Sequence, residues 1–411
     1  MAGGLAMTEQ GQKMAKTPDF DEEINRIGTH SVKWDAMEAL YGVSAQDGLA
    51  MWVADMDFAA PPVVLDALRA RVDHGVFGYP HVTPAVRDAV LLHLQRDLDW
   101  AVDPDWLVWL PGLVTGLNVA CRAVGEPGEG VATAVPVYPP FMSAPSLSGR
   151  QLQTIPLVRD GQQWVWDFDA LAALGRVTTG AHAPTRLLML CNPHNPIGRV
   201  WQRNELLAIA EIAERYDWII CSDDIHCELL MAPGAQYTPL ASLSPDIARR
   251  TMTLLAPSKT YNIPGLGASF AVIPDAVLRR RFERAMAGIV PHINVLGYIA
   301  MAAAYRNGIP WRDAMLRYVR ANRDHLVQAV QQMPGLQLTA PEATYLAWIN
   351  ASGLKRPVGQ SAAQFFEAAG IGLSPGEDFM PGAVDHVRLN FGCPRATLDE
   401  AIRRMAVACT R

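Results

Sequence analysis

No stretch of the chain runs for about 18 apolar residues, the length a membrane-spanning helix needs, so no such helix is expected. Cysteine is scarce, with six in 411 residues. Cys121, Cys191, Cys221, Cys227, Cys393 and Cys409 include no CxxC pair and no zinc-finger spacing. That argues against a disulfide framework or a zinc module, and in a chain this long the thiols read as reduced core residues. Cys221 and Cys227 flank His226, where a metal is not expected. Charge is also low, at 18% of residues, with a formal net of −6 and no long basic run. A nucleic-acid-binding surface is therefore not expected. There is no P-loop and no GxGxxG after the first strand, which weighs against a nucleotide-binding protein. Internal repeats and low-complexity segments are absent as well. The opening "MAGGLAMTEQGQKMAK" lacks the apolar core of a secretory signal, so the reading is a cytoplasmic protein whose residues 1–18 form a flexible tail.

Half the residues are apolar, an ordinary globular composition, and the length suggests two domains. From about residue 60, short apolar runs alternate with helical patterns. "PPVVLDALRARV" reads as an amphipathic helix, and "RNELLAIAEIAERYD" as another with Asn204 as its cap. "WLVWLPG", "GVATAVPVYPPF", "TRLLMLCNPHNPIG", "WIICSDDIH", "TMTLLAPSK" and "GASFAVIP" read as strands. Continuous apolar strands separated by helices indicate a parallel sheet covered on both faces. The expected division is a large α/β domain over 61–296, and a smaller α/β domain formed by 19–60 together with 297–411. A long helix interrupted near "GIPW" is predicted over 297–325.

Ligands of open parallel sheets bind beyond the carboxyl ends of the strands. The polar breaks "CNPHNPIG", "CSDDIHCE" and "APSKTYN" all fall at such ends. They bring together Asn195, Asp223, His226 and Lys259, with Arg388 far downstream in "VRLNFG". Lys259 stands out, because a lysine placed straight after a buried apolar run loses hydration, and desolvation moves an amine towards its nucleophilic form. An amine, a carboxylate, two neutral hydrogen-bonding groups and a guanidinium meet the needs of pyridoxal 5'-phosphate. The lysine can form a Schiff base with the aldehyde, and the carboxylate can keep the ring nitrogen protonated. The amide and imidazole can hold the ring's phenolic oxygen. The arginine can grip a substrate carboxylate in a two-pronged fork.

These motifs resemble those of fold-type I pyridoxal-phosphate enzymes, the aminotransferase class I/II superfamily, and within it the MalY/PatB cystathionine β-lyase (C–S lyase) branch. The similarity runs through "SVKWD", "WVADMDF", "GVFGYP", "PVYPPF", "CNPHNPIGRVW", "SDDIH", "APSKTYNIPGL", "YLAW" and "RLNFGCPR". It implies an aspartate aminotransferase-like fold, with a mostly parallel seven-stranded sheet in the large domain. Lys259 would carry the cofactor and Asp223 would face its ring nitrogen, while Asn195 and His226 would contact the phenolic oxygen. Tyr138 would stack on the ring. Ser258, Val114 and Thr115 would take the phosphate at a helix N-terminus. Tyr79 would reach the phosphate of a neighbouring subunit in a homodimer with shared sites, and Arg388, with Asn195 and Tyr79, would bind the amino-acid substrate. The implied reaction is β-elimination from L-cystathionine or a related cysteine S-conjugate, giving a thiol (homocysteine), pyruvate and ammonia. Transamination is the alternative, and a regulatory binding role with residual lyase activity is a minor one. Ile197, Asp224 and Pro264 depart from the family pattern, where threonine, glutamate and alanine are usual. None of the three removes a group with an implied role.

Overall fold

The computed structural model describes residues 18–176 and 183–410. The expected tail, apart from residue 18, lies outside the described residues. Seven strands form the large sheet: β1 (Leu107–Leu110), β2 (Gly130–Val135), β3 (Gln151–Pro156), β4 (Thr185–Cys191), β5 (Ile219–Asp223), β6 (Thr251–Leu255) and β7 (Ser269–Val272). Their order across the sheet is β1-β7-β6-β5-β4-β2-β3. Every residue of β2, β6 and β7 is buried, as strands covered on both faces require. One strand departs from the expected parallel series: β7 pairs antiparallel with both β1 and β6. A strand buried on both faces reads as a continuous apolar run in either direction, so composition does not reveal this reversal.

The helix expected to be capped by Asn204 spans Arg203–Arg215 and is capped two positions earlier, at Gln202, which leaves Asn204 inside its first turn. Glu205 explains the shift. Its carboxylate accepts from the Gln202 amide at 2.7 Å, so Gln202 becomes the residue from which the helix is capped. The interruption near "GIPW" separates helices Val295–Asn307 and Ile309–Gln331 at Gly308. A Cβ on Gly308 would lie 2.5 Å from the Ala304 carbonyl oxygen and 2.6 Å from the Tyr261 ring, so only glycine fits the bend. Helix Val295–Asn307 packs on helices Pro62–His74 and Pro84–Leu98.

The C-terminal part holds a four-stranded antiparallel sheet in the order Gln337–Leu338, Leu346–Asn350, His386–Asn390, Ser374–Pro375. The N-terminal arm joins this part. Leu49–Ala50 pairs parallel with Ile371–Gly372, and the Asp57 amide donates to the Gly392 carbonyl at 2.9 Å. Five of the six cysteines are buried and Cys409 is half-buried; none forms a disulfide. Among the described residues no helix is long and apolar enough to cross a membrane.

Candidate active site

Strands β4, β5 and β6 are adjacent and parallel, so their carboxyl ends share one edge of the sheet. β4 leads into Asn195, β5 ends on Asp223, and β6 leads into Ser258 and Lys259. A cavity of about 440 Å³ opens there, lined by all four together with His226 and Arg388. Tyr138 follows β2 and forms a wall of it. After β1, helix Leu113–Ala123 points its first turn into the same space. The cap residue of that helix is Gly112, which has no side chain to satisfy the free amides, and Val114 and Thr115 line the cavity. The sequence therefore brings together every expected site residue except Tyr79. Tyr79 is fully exposed and lines no part of this cavity.

Burial sets the electrostatics. Asp223 is 4% exposed, and desolvation raises its carboxyl to about 7, although the Ile225 amide donates to it at 3.2 Å. Burial pushes the Lys259 amine down to about 8, against the opposing pull of Asp55. Its Nζ donates to the Ala54 carbonyl at 2.5 Å. His226 is held neutral by burial and by the nearby Lys259 and Arg388, and its Nδ1 has no hydrogen-bond partner among the described residues. Arg388 donates from Nη1 to Asn195 Oδ1 at 3.1 Å and from Nη2 to the Trp52 carbonyl at 2.7 Å and Ser374 Oγ at 3.1 Å. The Phe379 ring lies 4.7 Å from its guanidinium carbon.

Sequence reasoning gave no role to the segment Trp52–Phe58, which binds the site together from behind. Its carbonyls accept side-chain hydrogen bonds in succession. Trp52 receives Arg388 and Ser374, and Val53 receives Asn390. Ala54 receives Lys259 and Tyr345, while Asp55 receives Asn390 and Lys33. Met56 receives Arg26 and Asn262. The fully buried Lys33 ammonium is neutralised by Asp57 at 2.6 Å. The only sequence sign was the motif "WVADMDF" itself, because backbone acceptors leave no residue signature. Tyr41, Trp52 and Asp378 also line the cavity and were not anticipated.

The departures from the family pattern have distinct fates. Ile197 is buried in an apolar cluster with Trp201 and stays out of the cavity. Asp224 turns away to accept from Ser222 Oγ at 2.5 Å and from the Tyr237 hydroxyl. Pro264 does line the cavity. A separate group, buried His93 and Glu228 with half-buried Asp97, has the proximity of a metal site, but Arg312 already forms ion pairs with both carboxylates.

An amine, a carboxylate and a helix N-terminus at the carboxyl edge of a covered parallel sheet, faced by a guanidinium from a second sheet, define a protein of the pyridoxal-phosphate-dependent transferase fold. The chain belongs to the aminotransferase class I and II family, whose profile matches residues 48–405. It is 37% identical to the cystathionine β-lyase PatB of Bacillus subtilis over 392 residues, covering 95% of this chain and 99% of that protein. Among solved structures it is similar to OvoB, with 46% identity, a TM-score of 0.88, and coverage of 95% of this chain and 99% of that one. It is also similar to cystalysin from Treponema denticola, whose crystal structure contains a pyridoxal 5'-phosphate cofactor. There the identity is 29% and the TM-score 0.89, covering 96% of this chain and 99% of that one.

Proposed function

We propose that this chain is a pyridoxal-phosphate-dependent carbon–sulfur β-lyase acting on L-cystathionine or related cysteine S-conjugates. The observation that carries the reading is the meeting of Lys259, Asp223 and Arg388 in one cavity at the carboxyl edge of the sheet. The residues fit the cofactor. Lys259 offers a desolvated amine, and Asp223 is a buried carboxylate whose one side-chain hydrogen bond comes from the Ile225 amide, leaving it short of a cationic partner. The first-turn amides of helix Leu113–Ala123, with the Thr115 and Ser258 hydroxyls beside them, suit a phosphate. His226 and Asn195 add polar atoms to the cavity lining, and His226 Nδ1 is without a hydrogen-bond partner among the described residues. When bound, pyridoxal phosphate supplies an aldehyde for covalent attachment and a ring that withdraws electrons from the substrate's α carbon.

The chain's own groups do the rest. Arg388, fixed by Asn195, Trp52 and Ser374, holds the substrate's α-carboxylate so that the Cα–H bond faces Lys259. Lys259 then accepts the Cα proton, and an amine pulled down to about 8 can do so near neutral pH. Asp223, ionised beside a cation, holds the positive charge that makes the α carbon acidic. The Cβ–S bond breaks with its electron pair on sulfur, and the departing thiolate takes up a proton. Water converts the remaining unsaturated amine to pyruvate and ammonia, which balances the reaction.

The same residues would serve transamination, which the family membership keeps in view. Incubation of the purified protein with L-cystathionine separates the two. Stoichiometric pyruvate and homocysteine support the lyase, whereas amino transfer that depends on an added keto acid and releases no thiol overturns it.

The proposal extends to a homodimer in which Tyr79 reaches the phosphate site of a second copy. The support is the exposed stretch holding Val76, Phe77 and Tyr79, large side chains that a monomer has little reason to leave in water. Light scattering of the purified protein tests it; a monomeric mass at micromolar concentration would remove Tyr79 from the site.

A further inference from the structure

Arg388 makes three hydrogen bonds within the chain, to Asn195, Trp52 and Ser374, and its Nε–H is buried without a partner among the described residues. Arginine carries more N–H groups than these bonds use, and all of them lie in the plane of the guanidinium. The tilt of that plane therefore decides whether the remaining ones meet a substrate carboxylate. Hydrogen bonds tolerate some misalignment, so they fix the position of the group better than its tilt. The tilt depends on what lies against the flat face. Here that is Phe379, whose ring centroid is 4.7 Å from the guanidinium carbon.

Phe379 is itself held from behind. Its amide donates to the Gly376 carbonyl at 3.0 Å and its carbonyl accepts from the Val137 amide at 2.9 Å, which fixes its backbone. Its ring meets the Trp348 ring edge to face, with centroids 5.4 Å apart. Trp348 in turn stacks on His386, with centroids 5.1 Å apart and 17° between the ring planes. The strand register explains the series. Trp348 stands opposite Arg388, and His386 precedes Arg388 by two positions, so these three side chains share one face of the four-stranded sheet. The Trp348 indole N–H is buried without a hydrogen-bond partner among the described residues, so packing places that ring. Phe379 and Trp348 are buried in the same apolar cluster as Ile197, whereas His386 is half-buried. Trp348 and His386 line a separate cleft, and neither lines the active-site cavity.

We propose that Phe379, Trp348 and His386 are positioning residues for substrate binding: their rings form a column that braces the Arg388 guanidinium at the tilt that receives the α-carboxylate. The proposal rests on the carboxylate-binding role given to Arg388 in the reading above and adds what sets that role up. Stacked rings in a close-packed interior hold one another in place, and a gap at one level lets the next ring turn. Arg388 then tilts and carboxylate affinity falls, while proton transfer at Lys259 is untouched.

The experiment measures steady-state kinetics of the cofactor-loaded enzyme with L-cystathionine. Trp348→Leu keeps an apolar side chain but removes the aromatic face, and should raise KM by about three- to tenfold, the worth of one aromatic contact, with kcat within about twofold. His386→Ala, at the half-buried end of the column, should raise KM by about two- to fivefold, and His386→Phe should restore it by restoring the stack. The decisive measurement repeats Trp348→Leu in an Arg388→Lys background. A column that acts through the guanidinium has nothing left to brace there, so KM should rise by less than about twofold further. A KM unchanged in both single variants, a full multiplicative rise in the Arg388→Lys background, or a fall in kcat and cofactor affinity that matches the KM effect overturns the proposal. Where Trp348→Leu does not fold, His386→Ala and His386→Phe decide the question in the same two backgrounds. If the unaltered protein releases no pyruvate, the lyase reading fails on its own. The column is then judged by the same variants from the L-cystathionine concentration that half-saturates the change in cofactor absorption, and equal values overturn it.

Discussion

Arg388, on a strand of the smaller sheet, and Asn195, in the turn after β4, stand 193 positions apart in sequence, yet the guanidinium of one donates to the side-chain oxygen of the other at 3.1 Å. This contact ties the part that would hold the substrate's carboxylate to the strand edge that would hold the cofactor. It depends on the planar fork of arginine, which reaches Asn195, Trp52 and Ser374 at once. Lysine keeps the charge but loses that geometry. Arg388→Lys is expected to lower kcat/KM for cystathionine by about 10- to 100-fold, mostly through KM, the loss of one to two charge-assisted hydrogen bonds. Steady-state kinetics checks this, and a KM within twofold of the unaltered protein would remove Arg388 from carboxylate binding.

Lys259→Ala removes both the point of covalent attachment and the base. Elimination should fall by about 10³-fold or more, since positioned general-base catalysis alone contributes about 10²- to 10⁴-fold. The visible absorption of the cofactor-loaded protein should move to that of unattached pyridoxal phosphate. Full pyruvate production by the variant would show that another group abstracts the proton.

Asp223 and Lys259 make the cofactor-free chain sensitive to pH in opposite windows. Asp223 rises from 3.8 to about 7 on burial. The folded chain therefore keeps a proton that the unfolded chain has lost, and stability falls as pH rises from about 4 to 7. Lys259 drops from 10.5 to about 8, so stability falls as pH drops from about 10.5 to 8. Asp223→Asn abolishes the first penalty. The cofactor-free variant should melt at a higher temperature than the unaltered protein at pH 8, while pyridoxal phosphate stabilises it less. Turnover should drop by about 10²- to 10³-fold, the usual cost of deleting one pre-organised electrostatic group. Equal melting temperatures at pH 8 would mean that the carboxylate carries no burial penalty.

Gly116 lets the phosphate-facing helix approach the sheet. A Cβ there would lie 3.0 Å from Leu254 and 3.1 Å from Leu110. Gly116→Val forces a branched side chain into that contact and should cost about 1–3 kcal/mol by overpacking. Affinity for pyridoxal phosphate should weaken as the first turn shifts, with little change in far-ultraviolet circular dichroism. Unaltered affinity would show that the helix N-terminus does not depend on this close approach.

Much of this site can be read from the chain because its chemistry sits where apolar strands stop. The runs ending at Cys191, Asp223 and Leu255 announce themselves by the polar residues that follow, and adjacent parallel strands place those residues on one edge. What stays hidden depends on tertiary contact. Tyr41, Trp52 and Asp378 have no common spacing and meet only because the N-terminal arm and the turn Gly376–Asp378 converge on the cavity. The antiparallel course of Ser269–Val272 is hidden because burial on both faces erases the signature of strand direction. Gln202 displaced Asn204 as the capping residue because a reciprocal bond to Glu205 outweighed a single favourable residue type.

The thiols have a consequence for a protein that would release a thiol at every turnover. Burial drives Cys121 and Cys393 up to about 12 and Cys409 up to about 11, with Cys191, Cys221 and Cys227 well above the ordinary value. Exchange with disulfides requires a thiolate, and at neutral pH these side chains supply almost none. Cys191 lines the very cavity where sulfur would depart. Oxidised forms of the product would find no nucleophile there to capture them, and the catalyst would remain unmodified in the sulfur-rich mixture it creates.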